Sequence, residues 1–142
     1  MTIREYEPKD LLEVFHINKA CHPRPQPNIG LLEQIHKGQM WVAVEGEKVI
    51  GFLLSTNKEG TYIYNVAVLP EFQHKGAATG LFNVCHKFYE GVSHIYLYVN
   101  ASNPAQKLYF DLGYRVTSVK ENFYSNKQHA LVMVKTLNDI PA

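Results

Sequence analysis

The segment Val66-Ala67-Val68-Leu69-Pro70-Glu71-Phe72-Gln73-His74-Lys75-Gly76-Ala77-Ala78-Thr79-Gly80 carries the most informative chemistry in the sequence. An apolar, β-prone run leads into a loop, and a cluster of small residues then opens a helical pattern. The first turn of a helix offers unpaired N–H groups and the positive end of its dipole, and small side chains let a diphosphate approach the backbone. The junction is therefore a ready anion site. Two nucleotide motifs fail here. The run after Gly76 lacks the lysine and hydroxyl that end the phosphate loop of nucleotide hydrolases, and the dinucleotide fingerprint G-x-G-x-x-G is absent. Taken alone, the glycines also fit a plain packing role.

Other reactive residues are arranged less suggestively. The seven histidines, His16, His22, His36, His74, His86, His94 and His129, are scattered, and none forms an H-x-x-x-H pair beside a carboxylate. No metal site is expected. Cys21 and Cys85 stand far apart, outside any C-x-x-C spacing, so neither a disulfide framework nor structural zinc is expected. Tyrosines are the more interesting set. Strand alternation puts Tyr62 and Tyr64 on one face, and likewise Tyr96 and Tyr98, either as the wall of an acceptor pocket or as ordinary cross-strand packing. Tyr109 falls on an apolar helical stripe with Leu108 and Leu112, where a core role is the simplest reading.

The elements that must position these residues follow from periodicity. Residues 2–6 read as a short strand, and Pro8 can occupy the first turn of a helix with Leu11, Leu12 and Phe15 on one side, ending before Pro23. Pro23, Pro25 and Pro27 make residues 21–30 a stiff, irregular connection, and segment 22–28 is either a lid or a plain linker. Leu31, Leu32 and Ile35 form the stripe of a short helix that Gly38 can close with a left-handed cap. Residues 40–45 and 48–55 form a hairpin around Gly46, with a third strand at 61–69 after a turn at 57–60. Ala77, Leu81, Cys85 and Phe88 then recur at helical spacing from Gly76 to about residue 90, where Gly91 ends the run. A strand at 94–99 follows, then a helix at 103–112 capped by Gly113, and a terminal strand pair at 115–124 and 129–136.

This order defines a mixed α/β (α+β) fold. It fills residues 1–142 as a single domain, with no repeat or low-complexity segment. The 142 residues are 46% hydrophobic and 19% charged, with a net charge of +1. Folding such a chain buries roughly 16,000 Å², enough for one core. The balanced charge provides no overall field for nucleic acid or an acidic membrane, so any anion site is local. Apolar runs are too short for a membrane span or a secretory leader, so a soluble cytoplasmic protein is expected.

The run Gln73-His74-Lys75-Gly76-Ala77-Ala78 resembles the Q/R-x-x-G-x-G/A signature of the GNAT N-acetyltransferase superfamily. Val66 to Glu71 resembles that family's cofactor strand. The later Asn103-Pro104-Ala105-Gln106-Lys107-Leu108-Tyr109-Phe110-Asp111-Leu112-Gly113-Tyr114 resembles its N-x-x-A-x-x-x-Y-x-x-x-G-[FY] helix. Two motifs in the right order, about 25 residues apart, are far more specific than either alone. The resemblance is strong from about Thr61 to Tyr114 and weak before Met40. Ala78 stands where the family most often has Gly.

The resemblance implies a sheet of about six to seven strands flanked by about four helices, with acetyl-CoA bound where two strands splay after a bulge. Backbone groups of Val66, Ala67 and Val68 would pair with the pantetheine amides like an added strand. Gln73, His74, Lys75, Gly76, Ala77, Ala78 and Thr79 would hold the diphosphate, with Lys75 adding Coulomb attraction at the rim or simply standing in solvent. Asn103 would bond the pantetheine arm. Tyr109 would be the general acid, donating a hydrogen bond or proton to the departing thiolate in direct acetyl transfer to an amine through a ternary complex. No metal is implied, and a homodimer is possible.

The base is the departure. Many relatives carry Glu beside the cofactor strand, where this chain has Tyr64 and Asn65. In N-terminal acetyltransferases of the superfamily a tyrosine and a histidine order a water that accepts the amine proton. Tyr62 and Tyr98 stand at what look like those positions, with Tyr98 replacing the imidazole. Asn122-Phe123-Tyr124 resembles the terminal hairpin of ribosomal-protein-type N-terminal acetyltransferases, which makes Tyr64 and Tyr124 candidates for holding a peptide acceptor. An α-amine of pKa about 7.7 to 8.0 needs little help from a base. The alternatives are a small-molecule amine acceptor and a non-catalytic acyl-CoA-binding module.

Overall fold

A computed structural model describes residues 1–22, 27–58, 60–124 and 126–138. In chain order the elements are β1 (Thr2–Glu5), α1 (Leu11–Cys21), α2 (Asn28–Lys37), β2 (Gln39–Glu45), β3 (Lys48–Thr56), β4 (Tyr62–Val68), α3 (Ala77–Phe88), β5 (His94–Asn100), α4 (Gln106–Asp111), β6 (Arg115–Lys120) and β7 (Ala130–Thr136). Short 3-10 turns occupy Pro8–Asp10 and Pro70–Phe72. The strands form one sheet in the order β1-β2-β3-β4-β5-β7-β6, antiparallel except for the parallel pair β4 and β5.

β3 explains why both faces of the sheet are covered. Its residues from Val49 to Ser55 are all buried, so the strand cannot leave either face to water. Helix α3 covers one side, with Leu81, Phe82 and Cys85 packed among Trp41, Leu53 and Ile63. Helices α1 and α2 cover the other, with Val14, Ile17, Leu31 and Ile35 against Phe52 and Leu54. Truncating a side chain as large and buried as Phe82 to Ala costs about 3–5 kcal/mol. The expected strand and helix counts are therefore met.

The functional opening lies in the middle of this sheet. β4 and β5 pair only at Tyr62↔Tyr96 and Ile63↔Leu97, and then diverge. Just beyond that pairing β4 bulges, because Leu54 opposes Asn65 while Ser55 opposes Ile63, leaving Tyr64 as the extra residue. A bulge turns the strand and adds local twist, which separates the two edges. The splay after a bulge thus stands where the sequence resemblance placed it.

Several local expectations change. Leu12 is 79% exposed, because α1 buries Val14, Ile17 and Asn18, a stripe that position 12 does not share. Gly38 is extended, at φ −112° and ψ −169°, rather than left-handed. A Cβ there would collide with the Ser55 carbonyl oxygen, so close approach to β3 demands the glycine. Helix α3 ends at Phe88 with Tyr89 as its cap, and Gly91 lies beyond it without a positive φ. The second-motif helix is shorter than residues 103–112. The Asn103 side-chain oxygen accepts the Ala105 N–H at 2.9 Å, a turn that holds the chain until α4 begins at Gln106. Gly113 does take the left-handed cap, at φ +100°. β6 stops at Lys120, and Asn122 turns the chain at φ +52°. The lid-or-linker question over segment 22–28 falls largely on residues 23–26, which lie outside the described residues. Among the described residues no helix is long and apolar enough to cross a membrane.

Candidate active site

An open cavity of about 640 Å³ sits where β4 leaves β5. One wall is Val66, Ala67 and Val68, whose far side is paired to Leu53, Phe52 and Gly51 of β3. Their other edge faces the gap, with main-chain groups available to an extended ligand. Gly51 keeps that wall in place, because a Cβ there would meet the Ala67 carbonyl oxygen at 2.9 Å.

The loop into α3 forms the second wall. The Gln73 amide donates to the Val68 carbonyl at 2.9 Å, tying the loop to the end of β4. His74 and Gly76 both take positive φ, 62° and 90°. Nothing would crowd a Cβ at Gly76, so the backbone conformation alone requires glycine there. Gly80 N–H is the first to bond back, to the Gly76 carbonyl at 2.9 Å. The N–H groups of Ala77, Ala78 and Thr79 precede it and have no acceptor inside the helix. Their alignment suits a diphosphate.

Of the residues assigned to acetyl-CoA from the sequence, Val66, Ala67, Val68, Gln73, His74, Gly76, Ala77, Ala78, Thr79 and Asn103 all line this cavity. Lys75 is not among the lining residues. Its ammonium stands 5.6 Å from the centre of the Phe72 ring, with Lys48 at 5.7 Å from the same ring. Lys107, on the opposite rim, is a lining cation that the sequence did not single out, and it pairs with Asp111 at 3.1 Å.

Tyr109 also lines the cavity, and its ring packs on Phe82 and Tyr114 at 5.6 and 6.3 Å. Burial, assisted by Tyr124, pushes its pKa up to about 12. The hydroxyl therefore stays protonated at any physiological pH and is a persistent hydrogen-bond donor. The sequence alternatives, core packing and a site role, merge here, since the ring is core and the residue reaches the cavity.

The strand tyrosines form a separate cluster. Tyr62 lies 4.8 Å from Tyr96, 5.5 Å from Tyr98 and 6.2 Å from Tyr64, measured between ring centres. The terminal loop joins it, with Phe123 against Tyr98 at 5.2 Å and Tyr124 against Phe123 at 5.1 Å. Burial raises the Tyr62 pKa well above the ordinary tyrosine value, followed by the effects of Tyr98 and Tyr96. That shift disfavours a tyrosinate at Tyr62. None of Tyr62, Tyr64, Tyr98 and Tyr124 lines the cavity that holds Tyr109. Tyr124 influences both Tyr109 and Tyr62, so it lies near the cavity residue as well as the cluster.

Sequence reasoning missed a third group. His22, at the end of α1, lines the cavity, and its Nε2 is 2.9 Å from the Asn65 side-chain oxygen. The Asn65 amide nitrogen donates to the Asn18 side-chain oxygen at 3.1 Å. No local motif marks this triad, since His22 and Asn65 are 43 residues apart. Cys21, beside it, donates its thiol to the Val68 carbonyl at 3.3 Å. Among the described residues no group of His, Cys, Asp and Glu could hold a metal ion.

The splayed strands, the left-handed glycine before α3 and the second-motif tyrosine together define an acyl-CoA-dependent transferase. The Acetyltransferase (GNAT) domain profile matches residues 16–137. The chain belongs to the GNAT acetyltransferase family and is an enzyme that moves an acetyl group from acetyl-CoA to an amine. It is 26% identical over 141 residues to the [ribosomal protein bS18]-alanine N-acetyltransferase of Haemophilus influenzae, covering 92% of this chain and 95% of that one. The fold matches the Escherichia coli ribosomal-protein-S18-alanine N-acetyltransferase at a TM-score of 0.89 and 24% identity, over 99% of this chain and 96% of that one. It also matches Arabidopsis thaliana NAA60 in complex with acetyl-CoA at a TM-score of 0.86 and 22% identity, over 96% and 98%.

Proposed function

We propose that residues 1–142 form one N-acetyltransferase domain that acetylates the α-amine of a peptide or protein by direct transfer in a ternary complex. The observation that carries the acceptor class is the composition of the cleft. The rings of Tyr62, Tyr64, Tyr96, Tyr98 and Phe123 form a cluster outside its lining, related to it through Tyr124, and the one carboxylate on the described cavity wall, Asp111, is already paired with Lys107. A polycation or amino sugar would be met by free carboxylates, whereas a peptide terminus fits an apolar and hydroxyl-bearing wall. The names of the relatives that act on S18 alanine support the same class.

In this reading main-chain groups of Val66, Ala67 and Val68 hold the pantetheine arm, with Asn103 bonding it and residues 73–79 holding the diphosphate. An N–H of that β4 edge polarises the thioester carbonyl, stabilising the oxyanion as the amine attacks. Tyr109 donates a hydrogen bond to the departing sulfur. At a pKa of about 12 it gives up a proton less readily than a thiol of about 8.5, so hydrogen bonding rather than full proton transfer is its contribution. Tyr64 and Tyr124 contact the acceptor peptide, and Tyr62 and Tyr98 order water beside its amine. Balanced charge and the absence of a membrane-length helix among the described residues support a cytoplasmic site of action without nucleic-acid or membrane partners.

The test is CoA thiol release from acetyl-CoA with short peptides in one pool and polyamines, amino acids and amino sugars in another. Activity confined to the peptide pool, and lost when the peptide α-amine is blocked, is the expected result. Turnover of the small-amine pool alone would overturn the acceptor assignment.

A further inference from the structure

Acetyl transfer has to remove a proton from the acceptor amine, and the cavity wall offers few groups able to accept it. Asp111 is tied to Lys107, Tyr109 is held neutral by burial, and burial also raises the Cys21 thiol. His74 sits in the strained loop that leads to α3, at the anion-binding end. His22 differs from all of these in being fixed to β4 beside the bulge, where the strands part.

The hydrogen bonds also decide its tautomer. Asn65 spends its amide nitrogen on Asn18, a side chain that is 1% exposed, so the Asn65 oxygen is left to accept from His22. Nε2 of His22 therefore carries the hydrogen, and in the neutral ring the lone pair is on Nδ1. Among the described residues Nδ1 has no hydrogen-bond partner. An imidazole on the cavity wall that is held through Nε2 and keeps its lone pair on Nδ1 has the chemistry of a general base.

We propose that His22 is the catalytic base of this enzyme, with Asn65 and Asn18 as the residues that position it. The inference rests on the acetyl-transfer chemistry above. As the C–N bond forms, the C–S bond breaks and its electron pair leaves on sulfur. Nδ1 takes the amine proton directly or through one water. The imidazolium then returns it through solvent to the thiolate, so that no residue is altered at the end of turnover. The arrangement supplies from helix α1 the base that β4 lacks at Tyr64 and Asn65.

The experiment compares wild type, His22→Gln, Asn65→Leu and Asn65→Asp on two peptides differing only at the N-terminal residue. One opens on alanine and the other on trifluoroalanine, whose weakly basic amine is already neutral at the assay pH. Acetyl-CoA binding is measured in parallel on each variant. His22→Gln is expected to lose about 100-fold in kcat/KM on the alanine peptide. The loss on the trifluoroalanine peptide should be severalfold smaller, with acetyl-CoA affinity unchanged. Asn65→Leu should follow the same pattern at about tenfold, and Asn65→Asp, which still accepts the Nε2 hydrogen, should recover most of the rate. Equal losses on both peptides, or His22→Gln activity within threefold of wild type, would overturn the proposal. Wild-type inactivity on every amine would instead reject the acetyl-transfer reading on which it rests.

Discussion

The two sides of the cleft are built of different material. The side proposed for acetyl-CoA is main chain and small residues: the β4 edge at Val66, Ala67 and Val68, then Gly76, Ala77 and Ala78. The side proposed for the acceptor is a cluster of side chains, with Tyr62 packed against Tyr64, Tyr96 and Tyr98, and Phe123 and Tyr124 joining it from the terminal loop. Recognition by N–H and C=O groups depends on backbone geometry, so its trace in sequence is the spacing of residues that permit that geometry. Recognition by rings depends on shape, and leaves only an alternation that ordinary packing also produces.

The largest predicted separation is at alkaline pH. Burial raises the pKa of Tyr109 to about 12, and burial likewise raises Tyr62 and Tyr114. An unfolded tyrosine ionises near pH 10, so the stability tied to neutral rings is complete below that pH and is lost as pH rises toward the folded values. Far-UV circular dichroism and tyrosinate absorbance followed together should show cooperative unfolding above pH 10. Smooth ionisation near pH 10 in a folded protein would show the rings to be solvated. Tyr109→Phe sits where the two sides meet, and should lower kcat by about 100-fold while leaving the acetyl-CoA dissociation constant unchanged. A tighter or weaker cofactor would assign Tyr109 to binding instead.

Smaller effects should fall on one side only. Gly76→Val forces a β-branched residue to φ near +90°, at a cost of about 1–3 kcal/mol, and should weaken acetyl-CoA binding about tenfold in a calorimetric titration. The acceptor KM at saturating acetyl-CoA should not move. Tyr62→Leu removes ring contacts worth about 0.5–1.5 kcal/mol each, and should raise the peptide KM about fivefold with the acetyl-CoA affinity intact. Gly51→Ala is the mildest. Its Cβ would press on the Ala67 carbonyl and on Val68 at 3.0 Å, and a roughly threefold loss of acetyl-CoA affinity is expected. An effect of Gly51→Ala on acceptor KM would mean that the two sides are mechanically coupled through β4.

Legibility followed the range of each interaction. The Gly113 cap and the alternation of β5 were readable, because sterics within a few residues decide them, whereas the bulge in β4 was not visible in its residues. Gly38 was misread because its glycine answers to Ser55, a neighbour across the fold rather than along the chain. Leu12 was placed on the wrong face for a similar reason, since only docking against β3 and β4 selects which helical stripe of α1 is buried. In the site, the residues assigned to acetyl-CoA from the sequence line one cavity, except Lys75, which stands by Phe72, and Lys107 joins the lining without having been singled out. His22 was passed over as one of several scattered imidazoles.

What the sequence by itself determined is the class of enzyme and its cofactor edge. Two short motifs encode backbone conformations, and those conformations shape the cavity proposed for acetyl-CoA. Only the tertiary structure decided how far β4 and β5 stay paired, which tyrosines meet, and that α1 brings Asn18 and His22 to Asn65. These contacts join segments separated by tens of residues. Their partners are chosen by strand register and helix docking, which minimise the free energy of the whole core and leave no local mark on the residues they bring together.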